Sequence, residues 1–541
     1  MFEHRFSKFG KAFLLTACLL LVGGLQQSCK DWLDDYKYDD SEPEWLGESI
    51  YAFLQEGTAN HTYKNYVELI DSLGEKATLE KTGSKTLFVA DDKAFERFYA
   101  NNPWGVKNVK DMTVAQRKYI FYNTMLSNAI LLDMMPNTSE SSEGDCISRA
   151  TEFNSLDSVS RVHPNYYPLH SSWPTYNQYW SLFAKQDTLL MSMSSASIVH
   201  FFDEYLKKNA ISVSDVNFLF QKGGATSKSY AKGDVFLFGN KLVDSEVDAG
   251  TFSEDSLTVS CKNGYVYRMD DVLLPPMDMA SELRVREDTR IFSHLLDRFC
   301  VPVFDGDLTN DYRIYHNVLT DSVYTLRYFT TANTTAGVSF TGTGVKAPAN
   351  DEVLSYDPGA RKGASDLYAM LVPKDEVLYE YFADPDSGAG NFLIKNYAPD
   401  VEVEQKYSEA AVDRLLTALD SVPQVNIATF LNNLLQESFS GTVPSKFDRI
   451  TDDANDDMRI KEHHVDECVI ANNGVLYLLN KVFSPAAFSS VSGPVDIYDN
   501  MRLIKTFVKD LKYNYYLLAM DADYSFLRFG SYLKLVVFVE K

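Results

Sequence analysis

Asn263-Gly264-Tyr265-Val266-Tyr267-Arg268-Met269-Asp270-Asp271-Val272-Leu273-Leu274-Pro275 reads as a turn followed by an apolar strand. The pattern returns as Asn473-Gly474-Val475-Leu476-Tyr477-Leu478-Leu479-Asn480-Lys481-Val482-Phe483-Ser484-Pro485. Aligned without a gap, the two share Asn, Gly, a Tyr, a Val and the closing Pro. Asn-Gly predicts a tight turn with positive φ, and the β-branched and aromatic run after it predicts a half-buried strand. Proline ends the ladder because it has no N–H to donate. Two such stretches in one register predict a duplicated unit.

Further copies lie upstream of each strand. Tyr66, Leu69, Ile70 and Leu73 are spaced as one buried face of a helix. Phe292, Leu295, Leu296 and Phe299 repeat that spacing, as do Ile504, Phe507, Val508 and Leu511. After the first helix, Thr86-Leu87-Phe88-Val89-Ala90-Asp91-Asp92-Lys93-Ala94-Phe95 reads as a strand running into a helix, with Asp91 or Asp92 as N-cap. Its counterparts are Ala369 to Leu378 and Asp523 to Phe526.

These stretches resemble the fasciclin-type domains. The opening pattern of that family is similar at Thr86, Leu87, Phe88, Asp92, Ala94 and Phe95, then at Pro373, Asp375, Glu376 and Leu378. Its closing pattern is similar at Asn263, Gly264, Val266, Asp270, Val272 and Leu273, then at Asn473, Gly474, Val475 and Val482. Val89 and Ala90 depart from it, as do Tyr267, Tyr477 and Asn480. The resemblance implies an α+β fold of tandem domains, each a small β-sandwich wrapped by helices. The expected division is 47–277 with an insert near 136–187, and 283–488 with an insert near 304–362. Residues 495–541 then form the incomplete start of a third domain. Linkers are expected near Pro276 to Met279 and at Ser489 to Pro494.

The first 29 residues read as an address. Arg5, Lys8 and Lys11 precede an apolar run from Ala12 to Leu25 that is short for a membrane span. Ser28-Cys29 resembles the cleavage site of a bacterial lipoprotein, which makes Cys29 the lipid-bearing residue. Residues 30–46 carry seven Asp or Glu against two Lys and read as a solvated tether. The acidic start of that tether resembles a surface-export signal, so the expected location is the outer membrane, lipid-anchored and facing outward. Beyond Cys18 and Cys29, the remaining cysteines (Cys146, Cys261, Cys300 and Cys468) lack zinc-like spacing and are expected to be buried thiols.

A net charge of −24 over 541 residues excludes the basic footprint of a nucleic-acid binder. No HExxH, P-loop, GxSxG or CxxC pair is present. Glu462 to Cys468 has metal-ligand residue types, but strand alternation would send neighbouring side chains to opposite faces. Asp453 to Asp457 and Asp305 to Asp311 read as solvated acidic loops. No cofactor, metal or catalysis is therefore expected. The candidate ligand site is the aromatic run of the first insert, at Trp173, Tyr176, Tyr179 and Trp180, whose rings could serve as platforms on a loop. In animal fasciclin domains a Tyr-His pair is linked to integrin adhesion. Here Asn123 stands in the place of that His, so integrin binding is not implied. The resemblance implies adhesion or binding of an extracellular protein or glycan. The alternative is an accessory subunit of an outer-membrane TonB-dependent nutrient importer.

Overall fold

Helix α1 (Ile50–Glu56) is followed by α2 (Lys64–Leu73), β1 (Lys85–Ala90), α3 (Asp92–Ala100), α4 (Val114–Asn123) and β2 (Met125–Leu126). A middle section carries β3 (Ser148–Ala150), β4 (Val159–Val162), β5 (Leu189–Ser192), β6 (Ser197–Phe201), β7 (Phe236–Leu237) and β8 (Asn240–Lys241). The first half closes on β9 (Thr258–Cys261) and β10 (Gly264–Met269). The second half begins with α5 (Met279–Val285), α6 (Arg290–Asp297), β11 (Cys300–Phe304), α7 (Gly306–His316) and β12 (Val323–Tyr328). It continues with β13 (Tyr368–Pro373), α8 (Asp375–Ala383), α9 (Glu409–Asp420) and α10 (Gln424–Asn432). It ends with β14 (Leu435–Gln436), β15 (Val465–Ile470) and β16 (Gly474–Leu479). This computed structural model describes residues 47–81, 83–139, 142–154, 156–163, 180, 183, 187–192, 197–223, 228–245, 256–328, 364–386, 390–452, 457–485 and 488. Cys29, the tether and the third copy of the repeat lie outside the described residues. Everything below belongs to the unit that starts at Ser49.

The α+β class is as the sequence predicts, and one sheet occurs twice. The first has the order β2-β1-β10-β9 and the second the order β14-β13-β16-β15. In both, the strand before the Asp helix runs parallel to the closing strand, Lys85 opposite Gly264 and Tyr368 opposite Gly474. Alternation divides the first sheet between two cores. Leu87, Val89 and Val266 pack with Tyr66, Leu69, Ile70 and Phe121 of the helices. Phe88, Tyr267 and Met269 face a larger core that continues through the second half. Leu73 is only half-buried, whereas its counterpart Phe299 is fully buried.

The Asn-Gly pairs do something other than the predicted positive-φ turn. Cys261 pairs with Gly264, so Lys262 and Asn263 are the two turn residues and Gly264 already belongs to the strand. Asn263 and Asn473 do not take positive φ, while Gly264 does, at +145°. Each Asn side chain instead reaches the first amide of a helix. Asn263 Oδ1 accepts from Ile50 N at 2.8 Å and Asn473 Oδ1 from Met279 N at 3.0 Å. Asn263 Nδ2 also donates to Leu79 O at 2.8 Å. Helix amides of the first turn have no partner within the helix, so a side chain from the closing strand fixes the opening helix of each half. Asn263→Ala removes both bonds from a residue 1% exposed. A loss of about 2 kcal/mol is expected, read as a lower thermal midpoint.

A second device repeats alongside it. Asp91 is the N-cap of α3, accepting from Ala94 N at 2.8 Å. Asp92 instead turns to α2 and accepts from Asn65 N at 2.9 Å and Lys64 N at 3.1 Å. Asp375 does the same for α6, accepting from Ile291 N at 2.8 Å and Arg290 N at 2.9 Å. Burial acts on both carboxyls. At Asp92 it is outweighed by hydrogen bonds from Asn65, Thr62 and Lys64, which hold the group below the usual range. At Asp375 burial wins over the amides of Ile291 and Arg290 and pushes the carboxyl up to about 6.

A further sheet joins the two halves. Its order is β11-β12-β5-β4: β12 of the second half runs parallel to β5 of the first, with Val323 opposite Leu190, and β11 and β4 flank them. Residues 305–311 are not an acidic loop. Asp305 caps α7 by accepting from Leu308 N at 2.9 Å, and the stretch begins that helix. The expected linker at Pro276 to Met279 is short, because Asp278 caps α5 and Met279 is its first residue. Asn472 N donates to Met277 O at 3.1 Å. Among the described residues no helix is long and apolar enough to cross a membrane.

Candidate ligand-binding cleft

Among the described residues, a cavity of about 650 Å³ lies where the two halves meet. This is within the ordinary range for ligand pockets. One wall is aromatic. The side chain of Asn102 accepts from Trp104 N and Val106 N, both at 3.1 Å, and so folds the loop after α3 that carries Trp104. Tyr119 sits on α4, whose start is fixed by reciprocal bonds between Thr113 and Gln116. Phe153 follows β3. Trp104 and Tyr119 meet edge to face at 6.3 Å and 75°, and Tyr119 and Phe153 at 5.5 Å and 83°. Burial pushes the Tyr119 phenol up to about 12, so its hydroxyl stays protonated and donates to Pro275 O on the opposite wall.

That opposite wall is the segment from Leu274 to Asp278, with Glu282 from α5. Asp278 is occupied as the helix cap, through Ala280 N at 3.1 Å, Ser281 N at 3.2 Å and Ser281 Oγ at 2.6 Å. Asp157 is bound to Lys118 at 2.7 Å. Glu282 accepts from Met277 N at 2.9 Å through Oε1. Burial raises its carboxyl, with the neighbouring Asp278 acting in the same direction and Arg286 against it. Among the described residues lining the cleft there is no lysine or arginine.

Of the aromatic run at 173–180, the described residue Trp180 does not line this cleft. Trp180 is 1% exposed and its indole N–H donates to Cys300 O at 2.9 Å. It is a core residue beneath β11 rather than a surface platform, because a large ring with a paired N–H is most stable inside. Trp173, Tyr176 and Tyr179 lie outside the described residues.

Two other clusters carry chemistry-bearing groups. Cys146 Sγ lies 3.8 Å from His200 Nε2, but both are buried. Burial raises the thiol and lowers the imidazole to about 3. The pair is therefore neutral and makes no thiolate nucleophile. In the 462–468 stretch Glu467 is paired with Arg286 at 2.8 Å and Asp466 with Lys374 at 3.3 Å. Among the described residues no three His, Cys, Asp or Glu side chains gather as a metal site would require, and residues 453–456 lie outside them. Cys146, Cys300 and Cys468 are buried free thiols, as expected, and Cys261 is half-buried.

Trp104, Phe153 and Glu282 were not singled out by the sequence. Their only signal was the Pro275-Pro276 pair after the first closing strand, which marks a rigid segment but not what it faces. Neither a family model nor a curated protein matches the chain.

Proposed function

We propose that the chain is a non-catalytic, surface-displayed lipoprotein anchored through Cys29, built from two fasciclin-like repeats, that holds an extracellular protein or glycan. The observation that carries this reading is the aromatic cleft of about 650 Å³ between the halves. The twice-used sheet order supports the duplication, as does the paired work of Asn263 with Asn473 and of Asp92 with Asp375. Each half would then be one fasciclin-type module, with a shared sheet joining them. The polar groups of the cleft favour retention over chemistry. Asp157 and Asp278 are engaged in an ion pair and a helix cap, which leaves Glu282 without the second carboxylate that acid–base hydrolysis needs.

The test is retention of a panel of short peptides and oligosaccharides by the immobilised chain. Trp104→Ala is expected to weaken retention about tenfold, because an aromatic wall supplies much of the contact at such sites. The thermal midpoint reports whether the fold survives. Retention that is equal in the variant and the parent removes the cleft as the site.

A further inference from the structure

We propose that the cleft takes a cationic, proline-containing peptide segment rather than a glycan. This rests on the cleft being the ligand site. Charge complementarity is the first support. The polar lining includes the carboxylates of Asp157, Asp278 and Glu282 and no lysine or arginine. The nearby ammonium of Lys118 is bound to Asp157. Met277 N–H uses Oε1 of Glu282, and Oε2 remains to accept from a guanidinium or ammonium. A carboxylate in a partly desolvated apolar wall holds a cation far more strongly than one in water.

The shape of the wall is the second support. A pyranose stacks on a ring face presented as a flat platform. Here Tyr119 stands nearly perpendicular to both Trp104 and Phe153, and the three rings form a corrugated surface. Such a surface interlocks with pyrrolidine rings and aliphatic stems, the way grooves take extended proline-rich segments. Pro275 faces it across the cleft, its carbonyl tied to Tyr119, so the groove is rigid before a ligand arrives. The volume of about 650 Å³ suits a few residues of a chain.

The experiment titrates three fluorescent probes into the intact protein. They are a short peptide of alternating proline and arginine, its counterpart with glutamate for arginine, and maltoheptaose. The arginine peptide is expected to bind and the glutamate peptide not to. The net charge of −24 attracts any cation weakly, so the deciding step is Glu282→Gln. Its amide oxygen can still accept from Met277 N, and it is expected to weaken the arginine peptide about tenfold without lowering the thermal midpoint. In the unaltered protein the same affinity should fall as salt is raised. Equal binding of both peptides overturns the inference, as does an unchanged affinity in Glu282→Gln. Maltoheptaose binding that is lost in Trp104→Ala, with no arginine-peptide binding, overturns the cationic assignment and leaves the cleft as a glycan site. No binding of any probe removes the cleft reading and this inference with it.

Discussion

Gly264→Ala is expected to melt far below the parent, with a loss of about 4 kcal/mol or more. Two independent features converge on that residue. Its φ of +145° is a conformation that a side chain rarely adopts, and a Cβ built there would lie 1.8 Å from Lys85 O. Lys85 is the first residue of β1, paired across from Gly264 in the parallel ladder that centres the first sheet. Relief would require the two strands to move apart. That would disturb the contacts of Leu87 and Val266 with the helices, and the hold of Asn263 on Ile50 N. Gly474 is the matched comparison. It lacks the unusual φ, and its nearest neighbours at 2.5 Å are the flexible end of Met279, with Tyr368 O at 2.6 Å. Gly474→Ala should therefore cost less than Gly264→Ala. Gly83→Ala, with nothing within 4 Å, should cost little. A thermal midpoint of Gly264→Ala equal to that of Gly83→Ala would contradict the close crossing of β1 and β10.

The repeat was legible because its spacing survives in the sequence, but the reason for its residues was not. Asn263 and Asn473 looked like turn formers, and what they hold is the first amide of a helix 213 residues away in one case and 194 in the other. Nothing in a local window reports a partner at that distance. Asp92 could be placed at a helix start, yet its neighbour Asp91 caps that helix and Asp92 serves another. The sheet that joins the halves was harder still. β4 is four residues long and partly exposed, and its sheet is completed by strands from the other half of the chain. Short strands without strict alternation carry almost no period to read. Trp180 misled because composition reports that a ring is present, while only the fold reports which side of the sheet it lies on. The cleft is the limiting case. Trp104 and Phe153 come from separate segments of the first half, joined through Tyr119, and Glu282 meets them from the second.

Arg284→Ala is expected to cost about 3–5 kcal/mol, because it strands a carboxylate that water cannot reach. Arg284 on α5 meets Asp297 at the end of α6 through Nε at 2.9 Å and Nη2 at 2.7 Å. Their side chains are 7% and 1% exposed. The Tyr328 hydroxyl on β12 donates to Asp297 Oδ1 at 3.3 Å, so the pair ties both helices to the sheet that joins the halves. In the first half, where the same two helices are α1 and α2, the corresponding tie is a hydrogen bond from Tyr51 Oη to Asp71 at 2.9 Å. That carboxylate is exposed, and losing its partner would leave it hydrated. Removing one member of a buried pair and removing both are different experiments. Arg284→Met combined with Asp297→Leu and Tyr328→Phe leaves no charge and no orphaned hydroxyl. The triple variant should recover most of what Arg284→Ala loses. Thermal midpoints of the two variants decide the point. If Arg284→Ala melts with the parent, Asp297 has access to water and α5, α6 and β12 are packed less closely there than the structure has them. If the triple variant is as unstable as the single one, the loss lies in the packing of the arginine stem rather than in its charge.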